Sequence, residues 1–237
     1  MRPDLQEAHS LLGTILLNRD WDWEGAERSF DRAIEIDPND LGAVQGASSV
    51  AMHSGRLEES VALAQRVADA DPLSLAGNYN LGLRLYQAGH WDRAQATLER
   101  TLELNPEAPV VRALMAKVLV EKGEPDRALD AALQEPAAIW QLVALPIVYY
   151  ALGRAEDAEQ SLARLVEEYS EYAAFQIAEA YASMDRTDDA LLWLEKAYER
   201  RDAGMVDLIS APTLAGLRND PRFLALREKM GLPEPSS

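Results

Sequence analysis

The stretch LAGNYNLGLRLYQAGHWDRAQATLERTLELNP, residues 75–106, decides the fold of this chain. It contains two helical segments separated by a turn at Gly89. The first segment carries a large apolar residue followed by a small one, Leu81 and Gly82, and the second carries Ala94 with an apolar residue four positions later. Small residues let two helix backbones approach, and neighbours one turn away fill the seam beside them. The stretch therefore predicts a helical hairpin whose apolar face is buried only when other hairpins stack on it.

The features of this stretch recur along the chain at a period of 34 residues. Three kinds of marker share that register: the proline that closes a unit, the glycine in the turn, and the small residue near the start of the second helix. They are Pro38, Pro72 and Pro106; Gly55, Gly89 and Gly123; and Ala26, Ser60, Ala94 and Ala128. A fixed period of this length is typical of a solenoid and argues against a globular enzyme fold.

Beyond residue 128 the register shortens but persists, because the small residue returns as Ala158 and Ala190 and the turn glycine as Gly153. We therefore predict an all-α chain, an α-solenoid of about six helical hairpins that forms one elongated unit over residues 1–202. The predicted hairpins span about 6–39, 41–74, 75–108, 109–136, 137–169 and 170–202, and residues 203–237 form a cap and a tail.

Three units depart from the regular pattern. The first has an extra residue in its turn, around residues 21–23. The second has Ala47, Ser48 and Ala51 at positions that are usually larger or glycine, so we expect it to pack loosely. The fifth has Pro146 inside its first helix, where proline removes one backbone hydrogen bond and is expected to produce a kink.

The regular unit resembles the tetratricopeptide repeat (TPR) family. The residues that stand in the places of the family pattern are Leu81, Gly82, Tyr86, Gly89, Ala94, Leu98 and Pro106. The resemblance extends over nearly the whole chain and implies a right-handed superhelix. In this family the first helix of each hairpin lines a concave groove that binds a protein or peptide.

A second, narrower resemblance concerns three short stretches. They are DWDWEGAERSF at residues 20–30, DPLSL at 71–75 and LRNDPRFL at 217–224. Together they resemble the carboxy-terminal TPR region of bacterial signalling proteins, in which that region is joined to a winged-helix DNA-binding domain, a nucleotide cyclase or a Ser/Thr kinase.

The repeat pattern stops after the sixth unit. A short helical turn is predicted at residues 205–209, and Asp220 and Pro221 are predicted to begin a last helix that ends near Lys229. Solenoids need a polar-backed end piece, so we expect this segment to be a capping helix. The alternative is that it folds back and occupies the concave groove.

Composition and charge limit the partners. The chain has 237 residues, is 48% hydrophobic and 7% aromatic, and carries no cysteine and a net charge of −17. Such a charge argues against direct binding of nucleic acid, which requires a cationic surface. The absence of a long apolar run or an export signal argues against membrane insertion and favours a cytoplasmic protein. The middle of the chain, residues 41–120, is nearly neutral with eight acids and seven bases.

The sequence offers no catalytic constellation, and we expect neither an enzyme nor a cofactor. Its three histidines, His9, His53 and His90, lie in different units without metal-ligand spacing. His53 and His90 border turns, where we expect solvent-exposed side chains. The glycines occur singly, so no phosphate-binding loop is predicted.

The candidate binding surface is the concave face, which becomes apolar and aromatic from the third unit onward. Its residues are Tyr79, Leu83, Tyr86, Lys117, Val120, Trp140, Val143, Ile147, Tyr150 and Phe175. Aromatic side chains of this kind anchor extended or helical peptides, and Arg84, Arg112 or Lys117 could pair with an acidic group. Alternatively, neighbouring helices bury much of this stripe against one another.

The predicted function is therefore a non-catalytic scaffold that binds a protein or peptide in its groove. Two alternatives remain open at this point. One is a regulatory module of a larger bacterial signalling protein, and the other is a self-association device that forms a homodimer.

Overall fold

The computed structural model describes residues 3–232, which form thirteen α-helices joined by turns and short 3-10 segments. The helices are α1 (Pro3–Ile15), α2 (Trp23–Ile36), α3 (Leu41–His53), α4 (Leu57–Ala70), α5 (Leu75–Gln87), α6 (Trp91–Leu104), α7 (Val111–Glu121), α8 (Pro125–Leu133), α9 (Ala138–Ala151), α10 (Ala155–Tyr169), α11 (Ala174–Ser183), α12 (Thr187–Glu199) and α13 (Pro221–Lys229). Consecutive pairs from α1 to α12 pack as six hairpins, and each hairpin packs on the next. The predicted α-solenoid is confirmed.

Each hairpin turns at a residue in the left-handed backbone region. Four of these residues are glycines, Gly55, Gly89, Gly123 and Gly153, with φ between 72° and 78°. Hairpins 1 and 6 use Trp21 (φ 56°) and Asp185 (φ 58°) instead. A side chain in this region costs roughly 1–2 kcal/mol, so both positions need compensating contacts. For Asp185 that contact is a 2.9 Å hydrogen bond from the hydroxyl of Tyr150.

Small residues sit where helices cross, as the pattern predicts. Ala94 is fully buried beside Leu98. A Cβ atom on Gly82 would lie 2.7 Å from Leu98, and one on Gly46 would lie 2.2 Å from the ring of Phe30. Phe30 therefore occupies the space that glycine leaves on the next hairpin.

The irregular units are accommodated locally. The extra residue of hairpin 1 is absorbed by a π-helical turn, Leu16–Asp20, at the end of α1. Hairpin 2 was predicted to pack loosely, and this is wrong. Ser48 and Ser60 are fully buried, and each hydroxyl donates to the other's backbone carbonyl at 2.8 and 2.7 Å. Helix α9 runs through Pro146 without a break.

The segment after α12 enters the concave side of the array and then returns to its end. A 3-10 segment, Ala203–Asp207, contacts α11 and α12, and a second one, Pro212–Leu217, packs along α11. Helix α13 then covers α12, as expected of a capping helix. This segment buries nine apolar side chains, which are Met205, Leu208, Ala211, Leu214, Leu217, Phe223, Leu226, Met230 and Leu232. The segment therefore combines the two alternatives: residues 203–216 lie on the concave face, and α13 caps the end of the array.

The first hairpin meets the sixth, so the array closes on itself. The rings of Trp21 and Tyr198 lie 5.4 Å apart, and the guanidinium of Arg201 lies 4.2 Å from the centre of the Trp21 ring. The elongated shape predicted from the repeats is therefore wrong. The accessible surface of 11355 Å² agrees with closure, since a compact protein of 26.2 kDa exposes about 10,600 Å².

Candidate functional site

Two adjoining cavities lie on the concave face. The first, of about 280 Å³, is walled by α5, α7, α9 and α11 on one side and by residues 203–211 on the other. The second, of about 340 Å³, lies between the same helices and residues 212–216. Tyr86 and Lys117 line both cavities, so these two side chains form the partition between them.

All ten residues predicted for the groove line one cavity or both. The first cavity is lined by Tyr79, Leu83, Tyr86, Lys117, Trp140, Val143 and Phe175, and the second by Tyr86, Lys117, Val120, Ile147 and Tyr150. They converge because spacings of three and four residues place them on one face of each first helix. Four of them, Tyr86, Val143, Ile147 and Phe175, are nevertheless buried. Their role in binding a partner stays a prediction.

An ion pair crosses the concave face at the partition. The ammonium of Lys117 on α7 lies 2.7 Å from a carboxylate oxygen of Glu179 on α11, and both side chains are largely buried. The hydroxyl of Thr213 donates to the other oxygen of Glu179 at 2.7 Å. The carboxylate is thus held by the array and by the carboxy-terminal segment together.

A second polar cluster surrounds Arg84, which is buried in α5. Its guanidinium donates to Gln87 at 2.7 Å and to Ser49 at 2.8 Å, and it lies 3.6 Å from Asp207. Gln87 in turn donates to Asp207 at 2.8 Å. Burial lowers the pKa of Arg84, and the negative charge of Asp207 opposes that shift.

These contacts correct one expectation about the basic residues. Arg84, Arg112 or Lys117 was considered as a partner for an acidic group of a bound peptide. Lys117 and Arg84 already face acids of this chain, Glu179 and Asp207, and Arg112 donates to the carbonyl of Pro106. A carboxylate of a partner would have to displace Glu179 from Lys117 or Asp207 from Arg84.

Burial raises the pKa values of two tyrosines on the cavity wall, and nearby acids add to the shift. The hydroxyl of Tyr86 is buried and has no hydrogen-bond partner in the described part of the chain. Burial, and then the charges of Glu179 and Glu121, raise the pKa of Tyr86. The pKa of Tyr79 is raised by burial and next by the charge of Asp207.

Sequence reasoning missed two features of this region. Asp207 lies beyond the last repeat, so the repeat period does not indicate that it faces the groove. The one signal in the sequence is that it is an isolated acid among apolar residues. His53 was expected to be an exposed turn residue, but it is 1% exposed. Neither of its ring nitrogens has a partner among residues 3–232, and its ring lies 5.4 Å from that of Trp23.

The described residues set two limits on other functions. Within residues 3–232, no helix is both long and apolar enough to cross a membrane. No group of three potential metal-ligating side chains comes together in the same range.

Comparisons with known proteins agree with the repeat architecture. Residues 18–74 and 85–145 match the tetratricopeptide repeat. Anaphase-promoting complex subunit 7 of Dictyostelium discoideum is 26% identical over 132 residues, which are 55% of this chain and 23% of that protein. The chain thus spans less than a quarter of that relative's length.

Two solved structures share the fold over almost the whole chain. The pilF protein of Pseudomonas aeruginosa superposes with a TM-score of 0.59 at 14% identity, covering 95% of this chain and 98% of its own. A chain of the APC/C hetero-tetramer Cut9–Hcn1 gives a TM-score of 0.61 at 16% identity, with 97% of this chain and 43% of that one covered. At such identities the likeness concerns the fold alone.

Proposed function

We propose that this chain, an α-solenoid of tetratricopeptide-repeat hairpins, is a non-catalytic scaffold that holds a segment of a partner polypeptide on its concave face. The observation that carries the proposal is the pair of adjoining cavities, to which α5, α7, α9 and α11 all contribute. The two cavities lie just below and just above the lower end of the size range of ligand pockets, and each suits one or two side chains. A polypeptide can place neighbouring side chains into two adjoining cavities.

The carboxy-terminal segment is part of the proposed site and does not act as an occupant that a partner removes. Its eight large buried side chains each contribute about 1.5–3 kcal/mol through burial. A micromolar ligand supplies about 8 kcal/mol in total. The chain entropy released on undocking offsets part of this burial, and we expect the segment to stay docked and a partner to use the space that remains.

Site-specific photo-crosslinking tests the proposal. Leu83 is half-buried and lines the first cavity, so a benzoylphenylalanine placed there should crosslink the partner in cells. Tyr79→Ala combined with Trp140→Ala removes two half-buried aromatic walls and should reduce the crosslinked product at least tenfold, because aromatic anchors dominate such interfaces.

Tyr172→Ala is the matched control, since this tyrosine is 78% exposed and lies outside both cavities. It should leave crosslinking unchanged, and all variants should keep their helical circular dichroism. Crosslinking that persists undiminished in the double variant would contradict the proposal.

Self-association is a second candidate, and one observation favours it. The outer face of α1 exposes Leu5, Leu11, Leu12 and Ile15, each by 39% or more. A homodimer through this face predicts twice the monomer mass in light scattering, and Leu11→Glu should restore the monomer. A monomer at all concentrations would exclude this candidate.

We also propose, as an alternative, that the array is the regulatory module of a larger bacterial signalling protein in the cytoplasm. Its support is the resemblance carried by residues 20–30, 71–75 and 217–224. The reading frame that encodes the chain tests it. Coding sequence for a winged-helix, cyclase or kinase domain would support the proposal, and a frame without one would contradict it.

A further inference from the structure

We infer that the first cavity receives a cationic side chain, lysine or arginine, from the partner polypeptide. The inference deepens the proposed function and rests on it. It follows from the aromatic walls, the balance of charged groups and one unpartnered hydroxyl, which come from different elements of the fold.

The walls of the first cavity are unusually aromatic for this chain. Tyr79 and Tyr86 from α5, Trp140 from α9 and Phe175 from α11 all line it, although only 7% of the residues are aromatic. The face of an aromatic ring is electronegative and attracts ammonium and guanidinium groups, and the attraction grows when water is excluded. Four rings around one small cavity therefore favour a cation.

The charged side chains that line the cavity include one more acid than base, although Arg84 behind them makes the cluster neutral as a whole. They are Lys117, Glu179 and Asp207, one base and two acids. The ammonium of Lys117 already forms an ion pair with a carboxylate oxygen of Glu179, 2.7 Å away. Arg84 approaches Asp207 at 3.6 Å from inside the protein but does not line the cavity. The contacts of Asp207 with Gln87 and Arg84 both fall on Oδ1, so Oδ2 is the oxygen that the described residues leave for a ligand.

The hydroxyl of Tyr86 adds an acceptor that the protein leaves unused. The residue is 3% exposed, lines the cavity, and its hydroxyl has no partner among the described residues. A buried hydroxyl without a hydrogen bond is unfavourable, because it has lost its contacts with water and gained none. Because the hydroxyl itself is buried, a small movement of the Tyr86 ring would bring its oxygen to the N–H of an ammonium or guanidinium group, whereas an aliphatic side chain would leave it unpaired.

The two other ligand classes fit less well. A carboxylate would face Asp207 and Glu179 while both nearby cations are already engaged. An apolar side chain would bury Asp207 and Tyr86 without offering either a hydrogen bond. The net charge of −17 also favours a basic partner, since it attracts one from a distance.

The adjoining second cavity indicates that the cation belongs to a polypeptide. It shares Tyr86 and Lys117 with the first, so a chain that places its basic side chain in one cavity can place a neighbouring residue in the other. A free amine would use only the first.

Binding measurements with the full chain test this inference. The probes are a capped heptapeptide with arginine at its centre and alanine and glycine elsewhere, the same peptide with citrulline, which keeps the shape and removes the charge, and N-acetyl-arginine amide. Isothermal titration calorimetry should show the arginine peptide binding at least tenfold more tightly than the citrulline peptide, and more tightly than N-acetyl-arginine amide.

Three variants locate the site. Tyr86→Phe removes only the unpartnered hydroxyl and should weaken the arginine peptide about fivefold. Trp140→Leu removes one aromatic face and should weaken it about tenfold. Tyr172→Ala, outside the cavities, should have no effect. Melting temperatures of all three should stay close to that of the unchanged chain.

The outcomes separate this inference from the proposed function. Equal affinity for the arginine and citrulline peptides, or no measurable binding of either, would overturn the cation site. The scaffold proposal would then still be judged by the crosslink at Leu83. Equal affinity for N-acetyl-arginine amide and the arginine peptide would overturn the polypeptide source and indicate a small cationic ligand.

Discussion

The indole nitrogen of Trp23 donates a 2.7 Å hydrogen bond to the backbone carbonyl of Met230, 207 residues later in the chain. Trp23 begins α2, and Met230 follows the last residue of α13. The contact therefore ties the first hairpin to the end of the carboxy-terminal segment. Since an open solenoid has no such contact between its ends, it is a direct marker of closure.

Replacing Trp23 with phenylalanine should cost about 1 kcal/mol beyond the effect of the smaller ring, because a buried hydrogen bond is lost as well. Urea denaturation measures the loss, and hydrogen exchange should become faster in α13. Trp91→Phe is the control, because the indole nitrogen of Trp91 is buried with no partner among the described residues. Equal losses in the two variants would mean that the Trp23 bond does not hold the ends together.

Acidification should destabilise the protein through His53. Burial, and then the charge of Arg84, hold the pKa of His53 well below 6.5. The folded state keeps this ring neutral while the unfolded chain binds a proton below about pH 6.5. The stability contributed by the neutral ring is thus complete above pH 6.5 and falls by up to about 1.4 kcal/mol per pH unit below it.

The measurement is urea denaturation at pH 7.5 and pH 5.5. His53→Leu should lose this part of the pH dependence and keep its stability at pH 7.5, since it removes two buried nitrogens without partners. His90→Asn should retain the pH dependence. An unchanged slope in His53→Leu would assign the effect to other groups.

Gly46→Ala should destabilise the protein by about 1–3 kcal/mol through overpacking. The added Cβ would meet the ring of Phe30 at 2.2 Å, and that ring is 1% exposed and cannot move aside freely. Gly216→Ala, whose Cβ would meet nothing within 4 Å, should be nearly neutral. Thermal melting compares the two, and identical melting temperatures would place the helix crossing elsewhere.

Deleting residues 203–237 should yield a protein that aggregates and melts earlier. The deletion exposes the surfaces of α11 and α12 that the segment contacts and removes its nine buried apolar side chains. Light scattering and circular dichroism measure both effects. A truncated chain that remains monomeric, with an unchanged melting temperature, would show that the segment does not stabilise the array.

Lys117→Met should cost about 3–5 kcal/mol, because Glu179 would keep a buried charge with no cation beside it. The charge-free pair Lys117→Met with Glu179→Leu should recover much of that loss. A double-mutant cycle by denaturant titration gives the coupling. Near-additive single effects would contradict the bridge between α7 and α11.

The repeat hairpins and the groove residues could be predicted because both follow a local period. A helix face is set by spacings of three and four residues, so the positions of Tyr79, Leu83 and Tyr86 could be derived from their own helix. The same rule located the small residues at each crossing. These inferences need no knowledge of how distant hairpins meet.

Closure and the burial of His53 could not be predicted on these grounds. The contacts of Trp21 with Tyr198 and of Gln87 with Asp207 join parts of the chain that no shared register relates. They depend on the curvature summed over six hairpins. His53 borders a turn, but its ring lies 5.4 Å from that of Trp23, whose indole nitrogen is hydrogen-bonded to the carbonyl of Met230.

The bond between Trp23 and Met230 also bears on how this architecture can change over evolutionary time. Open repeat arrays gain and lose units by duplication and deletion of single repeats, since each unit touches only its neighbours. Here a duplicated 34-residue unit would add one more step of rotation and rise and would part the two ends. The copy number is therefore fixed by geometry, and divergence must proceed by substitution within the six existing hairpins.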